Sequence, residues 1–282
     1  MIFADQPATR AAVGVAGVIA LGAWRSRSLT PRGALAAFVV GVVSMRAGWG
    51  WGAFLIAWFG MAAVISRIGR GVKAVRMHGV VAKGSERDAR QVFANGGVFA
   101  LCALFLLLLP HIGVLSYETH QLLAISCAAA GAGALSAAGA DTWATEVGTL
   151  ARNLPWSLRI RARVPVGTSG AVSFVGSCAA ILGALVLASL AYALQVIPRA
   201  AVPAVALSAM IGAFADSVLG AWWQERRWCA VCAMHTEQAL HVCGTRAQRV
   251  GGVGALDNDT VNFACTCVGA VFAGVLVYTL GA

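Results

Sequence analysis

Five carboxylates lie in or beside the apolar stretches of this chain, where a membrane helix tolerates charge least. Asp141 and Glu146 close one long apolar run, Asp216 lies inside another, and Asp257 and Asp259 open the last. A carboxylate near a bilayer centre costs about 2.5–3.5 kcal/mol on insertion scales, so it rarely stays there without a partner. Acids at helix ends, accompanied by many cations, suggest a divalent metal that holds a polyphosphate. We therefore predict that these five acids are Mg²⁺ ligands.

The first three acids predict a site shared between helices. Asp141 and Glu146 are about 140° apart around a helix, so they are poorly placed to chelate one ion alone. Mg²⁺ usually takes one or two protein carboxylates together with phosphate oxygens and water, which suits such a divided arrangement. The alternatives are that Asp141 and Glu146 mark a solvated helix end and that Asp216 makes a structural hydrogen bond within the bundle.

The acids before the last apolar run have a simpler alternative. A helix N-terminus favours a carboxylate through its dipole, so one Asp there needs no function. Asp257 and Asp259, together with Asn258 and Asn262, exceed what capping requires. We predict metal binding by the two acids and nucleotide or phosphate binding by the two amides, and capping remains open.

Two basic segments are candidate phosphate sites. The first runs from Lys83 into a helix and carries Arg87, Arg90 and Asn95. Arg binds phosphate through paired donors and Lys as a point charge, although a loop of this kind also suits lipid head groups. The second follows Arg159 and Arg161 and is predicted to cradle phosphate at the start of a helix, with Thr168 or Ser169 as the cap. Its candidate residues are Arg163, Gly167, Thr168, Ser169 and Gly170.

A polar loop near the C-terminus carries a set of potential metal ligands. Cys229 and Cys232 are two residues apart, and His241 and Cys243 follow about ten residues later. A small tetrahedral Zn²⁺ site can use this spacing, with His235 as an alternative ligand. Unmetallated thiols and a redox pair are the other two interpretations.

The composition indicates an integral membrane protein. Hydrophobic residues make up 59% and charged residues 11%, with a mean hydropathy of +0.78. Period-two alternation is absent, which disfavours a barrel, and cations that flank helices argue for lipid or phosphorylated ligands over nucleic acid. We predict an all-α, polytopic transmembrane bundle of about eight helices, at 11–24, 33–45, 50–66, 91–110, 120–149, 170–194, 201–224 and 259–281.

Loop charge predicts the orientation of this bundle. Eighteen Lys and Arg residues fall in the first, third, fifth and seventh connections, and three fall on the other side. This bias places both termini outside the cytoplasmic membrane. We expect a single membrane domain over 1–282, no soluble domain, and a cytoplasmic loop at 225–258. Whether the second and third helices both span stays open, because Arg46 and the Gly-Trp-Gly-Trp-Gly of 48–52 could equally mark a broken or re-entrant pair. Trp49 and Trp51 would then be interface anchors.

The motifs in this order resemble the phytyl-phosphate kinase-like family of integral membrane proteins, over about Leu29 to Gly269. The resemblance rests on the segment from Lys83 to Gly96, Ala140-Asp-Thr-Trp-Ala-Thr-Glu, Gly167-Thr-Ser-Gly, Asp216-Ser-Val-Leu-Gly-Ala and Leu256-Asp-Asn-Asp-Thr-Val-Asn. It implies kinship with CTP-dependent dolichol and phytol kinases and with CDP-lipid synthases. It also implies transfer of a phosphoryl group from CTP or another nucleoside triphosphate to an isoprenyl monophosphate, with Asp141, Glu146, Asp216, Lys83 and Arg87 as the catalytic set.

Other functions remain open at this stage. A lipid-phosphate cytidylyltransferase would share metal-bound CTP but release pyrophosphate instead of CDP. A transporter of an anionic solute would place its site near the midplane and often shows inverted repeats, which we do not find. A membrane scaffold would not need five such acids. The chain length of the substrate and the oligomeric state, including a homo-oligomer, stay undetermined.

Overall fold

The computed structural model describes residues 7–80, 86–113 and 115–281 and confirms the mostly helical fold. All eight predicted helices are present within that part of the chain, with boundaries that shift by a few residues, and one short helix is added. The helices are α1 (Thr9–Arg25), α2 (Pro31–Ala47), α3 (Trp49–Arg67), α4 (Arg70–Arg76), α5 (Ala89–Leu108), α6 (Tyr117–Gly148), α7 (Phe174–Ala193), α8 (Val202–Trp222) and α9 (Asn258–Leu280).

Six of the described helices are long and apolar enough to cross a membrane, namely α3, α5, α6, α7, α8 and α9. At 17 residues each, α1 and α2 lie at the lower limit of roughly 17–25 residues for a span. α1 packs on α2, and α2 packs on α3 and α5. These two helices therefore form one flank of the bundle.

The centre of the bundle is α6, which packs against α3, α5, α7, α8 and α9. Its middle is built from alanine, glycine and serine, and most of these residues are buried. Small residues let helix backbones approach closely in lipid, where packing rather than the hydrophobic effect drives association. A Cβ at Gly133 would lie 2.5 Å from the carbonyl oxygen of Gly269 on α9. The glycines are therefore needed where α6 crosses α9.

The junction of α2 and α3 departs from one prediction. Only Gly48 separates the two helices, and its φ of 154° is one that L side chains rarely adopt. Trp51, expected at the interface for a broken pair, is instead buried and stacks on Phe99 with ring centroids 4.6 Å apart. Trp49 is partly exposed. The interface position that a broken pair would give Trp51 is therefore not observed, because the α3 face that carries it packs against α5 and α6.

Two small antiparallel sheets lie in the connections. β1 (Trp156–Ser157) pairs with β2 (Ala171–Val172) in the fifth connection. In the seventh connection, β3 (Arg226–Cys229) lies between β4 (Met234–Thr236) and β5 (Gln248–Gly251). This second sheet contacts the third connection, where the Glu237 amide donates to the carbonyl oxygen of Val80 at 2.7 Å. The polar connections therefore gather at one end of the bundle.

Candidate active site at the polar end of the bundle

A cavity of about 1030 Å³ opens at the end of the bundle where the polar connections meet. Its described lining draws on the first, third, fifth and seventh connections and on helices α3, α6, α7, α8 and α9. All five acids singled out in the sequence line it: Asp141, Glu146, Asp216, Asp257 and Asp259. The structure thus brings together carboxylates that are up to 118 positions apart in the chain.

We call these five carboxylates the acidic wall, and two of them, Asp141 on α6 and Asp216 on α8, come from within long helices. Each is partly accessible only because it borders the cavity. The Oδ2 atom of Asp216 is buried and has no hydrogen-bond partner among the described residues. Asp216 also feels the like charges of Asp141 and Glu237. A buried carboxylate oxygen without a donor, near other acids, is an arrangement that a divalent cation would relieve. These residues therefore fit a Mg²⁺ ion.

Glu146 has partners within the protein. Its Oε2 atom lies 2.5 Å from the Nζ of Lys73, and its Oε1 accepts from the Ser66 hydroxyl at 2.5 Å. Lys73 is only 4% exposed, and it also donates to the carbonyl oxygen of Ile65. No local pattern distinguishes Lys73 from the other loop cations, because its partner lies 73 positions away in the chain. The ion pair ties α4 to the end of α6 and leaves Glu146 at the edge of the acidic wall.

Asp257 and Asp259 combine capping with a position on the cavity. Asp257 is the N-cap of α9 and accepts from the Thr260 amide at 3.0 Å. Arg90 lies 2.9 Å from Asp257 and 3.8 Å from Asp259, so it bridges the two acids from α5. Burial acts to raise the pKa of Asp257, but the hydrogen bonds from Thr260 and the charge of Arg90 outweigh it and lower the pKa. Arg90 itself does not line the cavity.

Arg87 is the predicted phosphate ligand that the fold holds most firmly. Its backbone makes two hydrogen bonds to the α1–α2 connection. The Arg87 amide donates to the Ser28 carbonyl, and the Arg87 carbonyl accepts from the Thr30 amide, both at 3.0 Å. Its guanidinium lies over Trp58 and Phe59 on α3, 5.9 and 5.5 Å from the ring centroids. Burial lowers the pKa of Arg87 and the nearby Glu146 opposes that shift, yet an arginine stays charged in proteins.

The glycine turn lines the cavity, but the helix after it begins later than predicted. Gly167 and Gly170 have φ values of 87° and 69°, and Thr168, Ser169 and Gly170 all border the cavity. The expected cap at Thr168 or Ser169 is wrong. The chain first forms β2, and α7 then starts at Phe174 with Ser173 as its N-cap, accepting from the Gly176 amide at 3.0 Å. Ser169 instead donates to Glu237 at 3.1 Å.

The remaining predicted ligands are divided between the cavity and its surroundings. Asn258 lines the cavity, whereas Asn95, Asn262 and Arg163 do not. Asn95 donates to the Gln91 carbonyl within α5, and Arg163 donates to the Leu154 carbonyl within its own loop. Lys83 lies outside the described residues. The roles assigned to these side chains stay predictions.

Two further acids at the cavity were missed from the sequence. Glu225 and Glu237 come from the seventh connection and border the cavity with the other five. Glu225 pairs with Arg227 at 2.9 Å, and Glu237 accepts from Gln224 at 2.8 Å. In the described lining, seven carboxylates face five Lys and Arg side chains. The excess of negative charge favours a bound cation before any anionic substrate enters.

The seventh connection also brings the predicted Cys and His ligands together. The ligand atoms of Cys229, Cys232, His241 and Cys243 all lie within 4.8 Å of one another. Hydrogen bonds from Thr245 and His241 lower the pKa of the Cys243 thiol to about 5. His235 is not in this group and instead packs edge-on against Trp228. These four side chains have the donor set of a small metal centre.

Known proteins resemble the chain over most of its length. Protein PGR from Arabidopsis thaliana is 26% identical over 264 residues, which cover 89% of this chain and 90% of that protein. An uncharacterized membrane protein from Synechocystis is 33% identical over 70% of this chain and 73% of its own. Another uncharacterized membrane protein, from Methanocaldococcus jannaschii, is 25% identical over 93% of this chain and 90% of its own.

No solved structure matches the chain significantly. The model of the family described as integral membrane protein DUF92 matches residues 14–270. This match covers every acid of the cavity, six of the eight long helices in full, and parts of α1 and α9. The chain is therefore a multi-pass integral membrane protein that belongs to the DUF92 family.

Proposed function

We propose that this protein is a phosphotransferase that moves the terminal phosphoryl group of CTP to an isoprenyl monophosphate at the cytoplasmic face of the membrane. The observation that carries the proposal is the acidic wall of the cavity, where helices α6, α8 and α9 each contribute carboxylates. The unpartnered Oδ2 of Asp216 is its most specific feature. A phytyl, geranylgeranyl or farnesyl chain would suit the acceptor.

The metal-binding role falls first to Asp141 and Asp216, with Asp257 and Asp259 as further candidate ligands at the start of α9. When bound there, Mg²⁺ would neutralise the triphosphate and the charge that develops during transfer. The acids would hold the ion from different helices, so the packing of α6, α8 and α9 would fix its position. Glu146 supports the wall through its ion pair with Lys73.

Phosphate binding falls to the cations and the glycine turn. Arg87 presents a guanidinium that is already immobilised over two aromatic rings, so little side-chain entropy is lost when it binds an anion. The amides at the N-terminus of α7 begin beside Ser173, which borders the cavity. A helix of 20 residues offers both unpaired amides and a favourable dipole for phosphate at this end. Lys83 remains a predicted partner of the same phosphates.

The cavity also has an apolar wall, which favours a lipid acceptor. Ile181 on α7 and Met210 and Phe214 on α8 border the cavity. Ile181 is 47% exposed and Phe214 is 61% exposed, so the apolar wall continues onto the outer surface of the bundle. A prenyl chain could follow this surface into the bilayer while its phosphate stays at the polar end. At about 1030 Å³, the volume is at the upper end of the range for small-molecule sites, which suits two substrates.

The transfer itself needs little covalent help from the protein. A phosphate oxygen of the acceptor attacks the γ-phosphorus of CTP, the bond between that phosphorus and the β–γ bridging oxygen breaks, and CDP leaves with that oxygen. The acceptor oxygen is already ionised, so no strong general base is required. Positioning and charge neutralisation dominate such reactions. Both are tasks that Asp141, Asp216 and Arg87 are suited to perform.

The test offers phytyl, geranylgeranyl and farnesyl monophosphates separately to purified protein with CTP and Mg²⁺. We expect a prenyl diphosphate and an equal amount of CDP. Release of pyrophosphate with a CDP-lipid product would instead identify a cytidylyltransferase. If neither set of products forms, and reconstituted vesicles take up an anionic solute without nucleotide, a transporter would replace the proposed phosphotransferase.

A further inference from the structure

We infer that Cys229, Cys232, His241 and Cys243 bind one structural Zn²⁺ ion, which fixes the seventh connection beside the cavity. Three sulfurs and one imidazole converge within 4.8 Å in a loop that has no other described core of its own. His241 is only 3% exposed, and the Nδ1 atom of its imidazole lies 3.2 Å from the Sγ of Cys243. A buried histidine surrounded by thiols indicates a ligand, since burial otherwise costs the ring its hydration.

The distances match those of a tetrahedral zinc centre. With Zn–S bonds of about 2.3 Å and a Zn–N bond of about 2.0 Å, sulfurs in a tetrahedron are roughly 3.8 Å apart and a sulfur and nitrogen roughly 3.5 Å apart. The Sγ atoms of Cys229 and Cys243 are 3.5 Å apart, and the Nδ1 atom of His241 lies 3.2 Å from the Sγ of Cys243. These two pairs are within a few tenths of an ångström of the tetrahedral distances, and the remaining pairs lie within 4.8 Å.

Two tight turns present the four ligands. The first turn joins β3 to β4, so Cys229 ends a strand and Cys232 lies in the turn that follows. The second turn is closed by the His241 amide, which donates to the Thr245 carbonyl at 2.9 Å. Gly244 follows Cys243 with a φ of 83°, in the left-handed region that favours glycine. Each turn therefore offers two ligands in the paired pattern that structural zinc sites use.

The metal centre would act on the cavity through β4. Thr236 ends that strand, and its hydroxyl donates to the Val80 carbonyl at 3.3 Å, beside the bond from the Glu237 amide. At the cavity wall, the Glu237 carboxylate accepts hydrogen bonds from the Ser169 hydroxyl and the side-chain amide of Gln224. A small three-stranded sheet has too little core to be stable alone, so a metal cross-link is a physical means of fixing these contacts.

The test measures zinc per chain in protein purified under reducing conditions, by elemental mass spectrometry. We expect about one Zn²⁺ per chain in the wild type, a loss of about tenfold or more in Cys243→Ser and in His241→Ala, and no change in Cys178→Ser. Cys178 is a matched control because it is an exposed free thiol on α7, away from the cluster. A wild-type protein that holds no zinc, even after incubation with ZnCl₂ and a reductant, would overturn the inference, as would a disulfide between two of the cluster cysteines.

A second measurement covers the case in which a variant does not fold. Wild-type protein that has been stripped with a chelator and reloaded with Co²⁺ should show thiolate-to-cobalt charge-transfer absorption, because tetrahedral sulfur ligation produces it. Limited trypsin digestion should cleave the stripped protein faster at Arg246 and Arg249, both in this connection. A cobalt spectrum without thiolate bands, or equal cleavage with and without metal, would contradict the inference. Neither readout depends on nucleotide or lipid, so the zinc site and the proposed phosphotransfer can fail independently.

Discussion

Replacing Asp216 with asparagine should separate the stability of the protein from its metal binding. The Oδ2 atom of Asp216 is buried, close to the charge of Asp141, and without a hydrogen-bond partner in the described structure. An unsatisfied buried polar group costs about 1–3 kcal/mol, and more if it is charged. Asparagine keeps the size of the side chain and removes the charge. In the absence of divalent cations, we therefore expect Asp216→Asn to be at least as stable as the wild type.

The order should reverse when Mg²⁺ is added. A ligand that binds only the folded state stabilises it by about 2.7 kcal/mol at one hundred times its dissociation constant. The wild type gains this stabilisation and the variant loses most of it, because one of its principal ligands has become a neutral amide. Phosphotransfer in the variant should fall at least about 100-fold, which corresponds to roughly 2.7 kcal/mol of lost transition-state stabilisation.

The assay is thermal unfolding of the detergent-purified protein, followed by intrinsic tryptophan fluorescence in EDTA and across a Mg²⁺ titration. Glu118→Gln is the matched control, since Glu118 lies in the first turn of α6, at the end opposite Asp141 and Glu146. This control should keep the wild-type response to Mg²⁺. The reasoning is refuted if Asp216→Asn unfolds at a clearly lower temperature in EDTA, or if it shows the same Mg²⁺-dependent rise as the wild type.

Three further substitutions test how the wall is held. Lys73→Met should destabilise the protein by about 3–5 kcal/mol, because it leaves Glu146 without its buried counterion. The double variant with Glu146→Gln should recover part of that loss in the same unfolding assay. If it recovers nothing, the ion pair does not stabilise the protein. Arg87→Lys should lower kcat/KM about tenfold, since lysine loses the planar contact with two rings; unchanged kinetics would remove this side chain from the site. Gly170→Ala should reduce stability by more than about 1 kcal/mol, because its Cβ would lie 2.2 Å from a backbone nitrogen of α8 at a φ of 69°. The control Gly60→Ala should be neutral or stabilising, because no described residue from another part of the structure lies within 4 Å of its Cβ. Equal effects of the two substitutions would contradict the close approach.

The helices and the acidic wall were predictable because both follow from the cost of polarity in lipid. Long apolar runs must form helices to satisfy their backbones, so hydropathy located all eight long helices. The same cost made Asp141 and Asp216 conspicuous, since an acid is rarely retained in such a run without a purpose. Loop charge then indicated that the odd-numbered connections share one face, and their meeting at the cavity agrees with this.

The partners of these acids were not predictable, because they come from distant parts of the chain. Lys73 has the sequence features of an ordinary loop cation, and only the fold of α4 places its ammonium 2.5 Å from Glu146. Glu237 lies in a polar loop where an acid needs no explanation, and only the three-stranded sheet brings it to Ser169. Neither position carries a local signal, since burial and pairing arise from tertiary contacts.

One local prediction, the cap of α7, was wrong, and the interface position that a broken pair would give Trp51 is not observed. Thr168 and Ser169 are good helix caps by type, but the pairing of β2 with β1 keeps the chain extended until Ser173. Trp51 belongs to a residue type that favours the membrane interface, yet it lies on the face of α3 that stacks on Phe99. Residue preferences set what is favourable at each position, and the packing of neighbouring elements decides between the options.

The most direct test of the account is whether a divalent cation binds at the acidic wall in contact with the nucleotide. Mn²⁺ can take the place of Mg²⁺ at oxygen ligands, and its electron spin reports nearby phosphorus nuclei. Electron–nuclear double resonance of wild-type protein with Mn²⁺ and CTP should show ³¹P couplings from the bound triphosphate, and Asp216→Asn should lose them. Protein that binds no Mn²⁺, or binds it equally well without Asp216 and without any phosphorus coupling, would contradict the central claim.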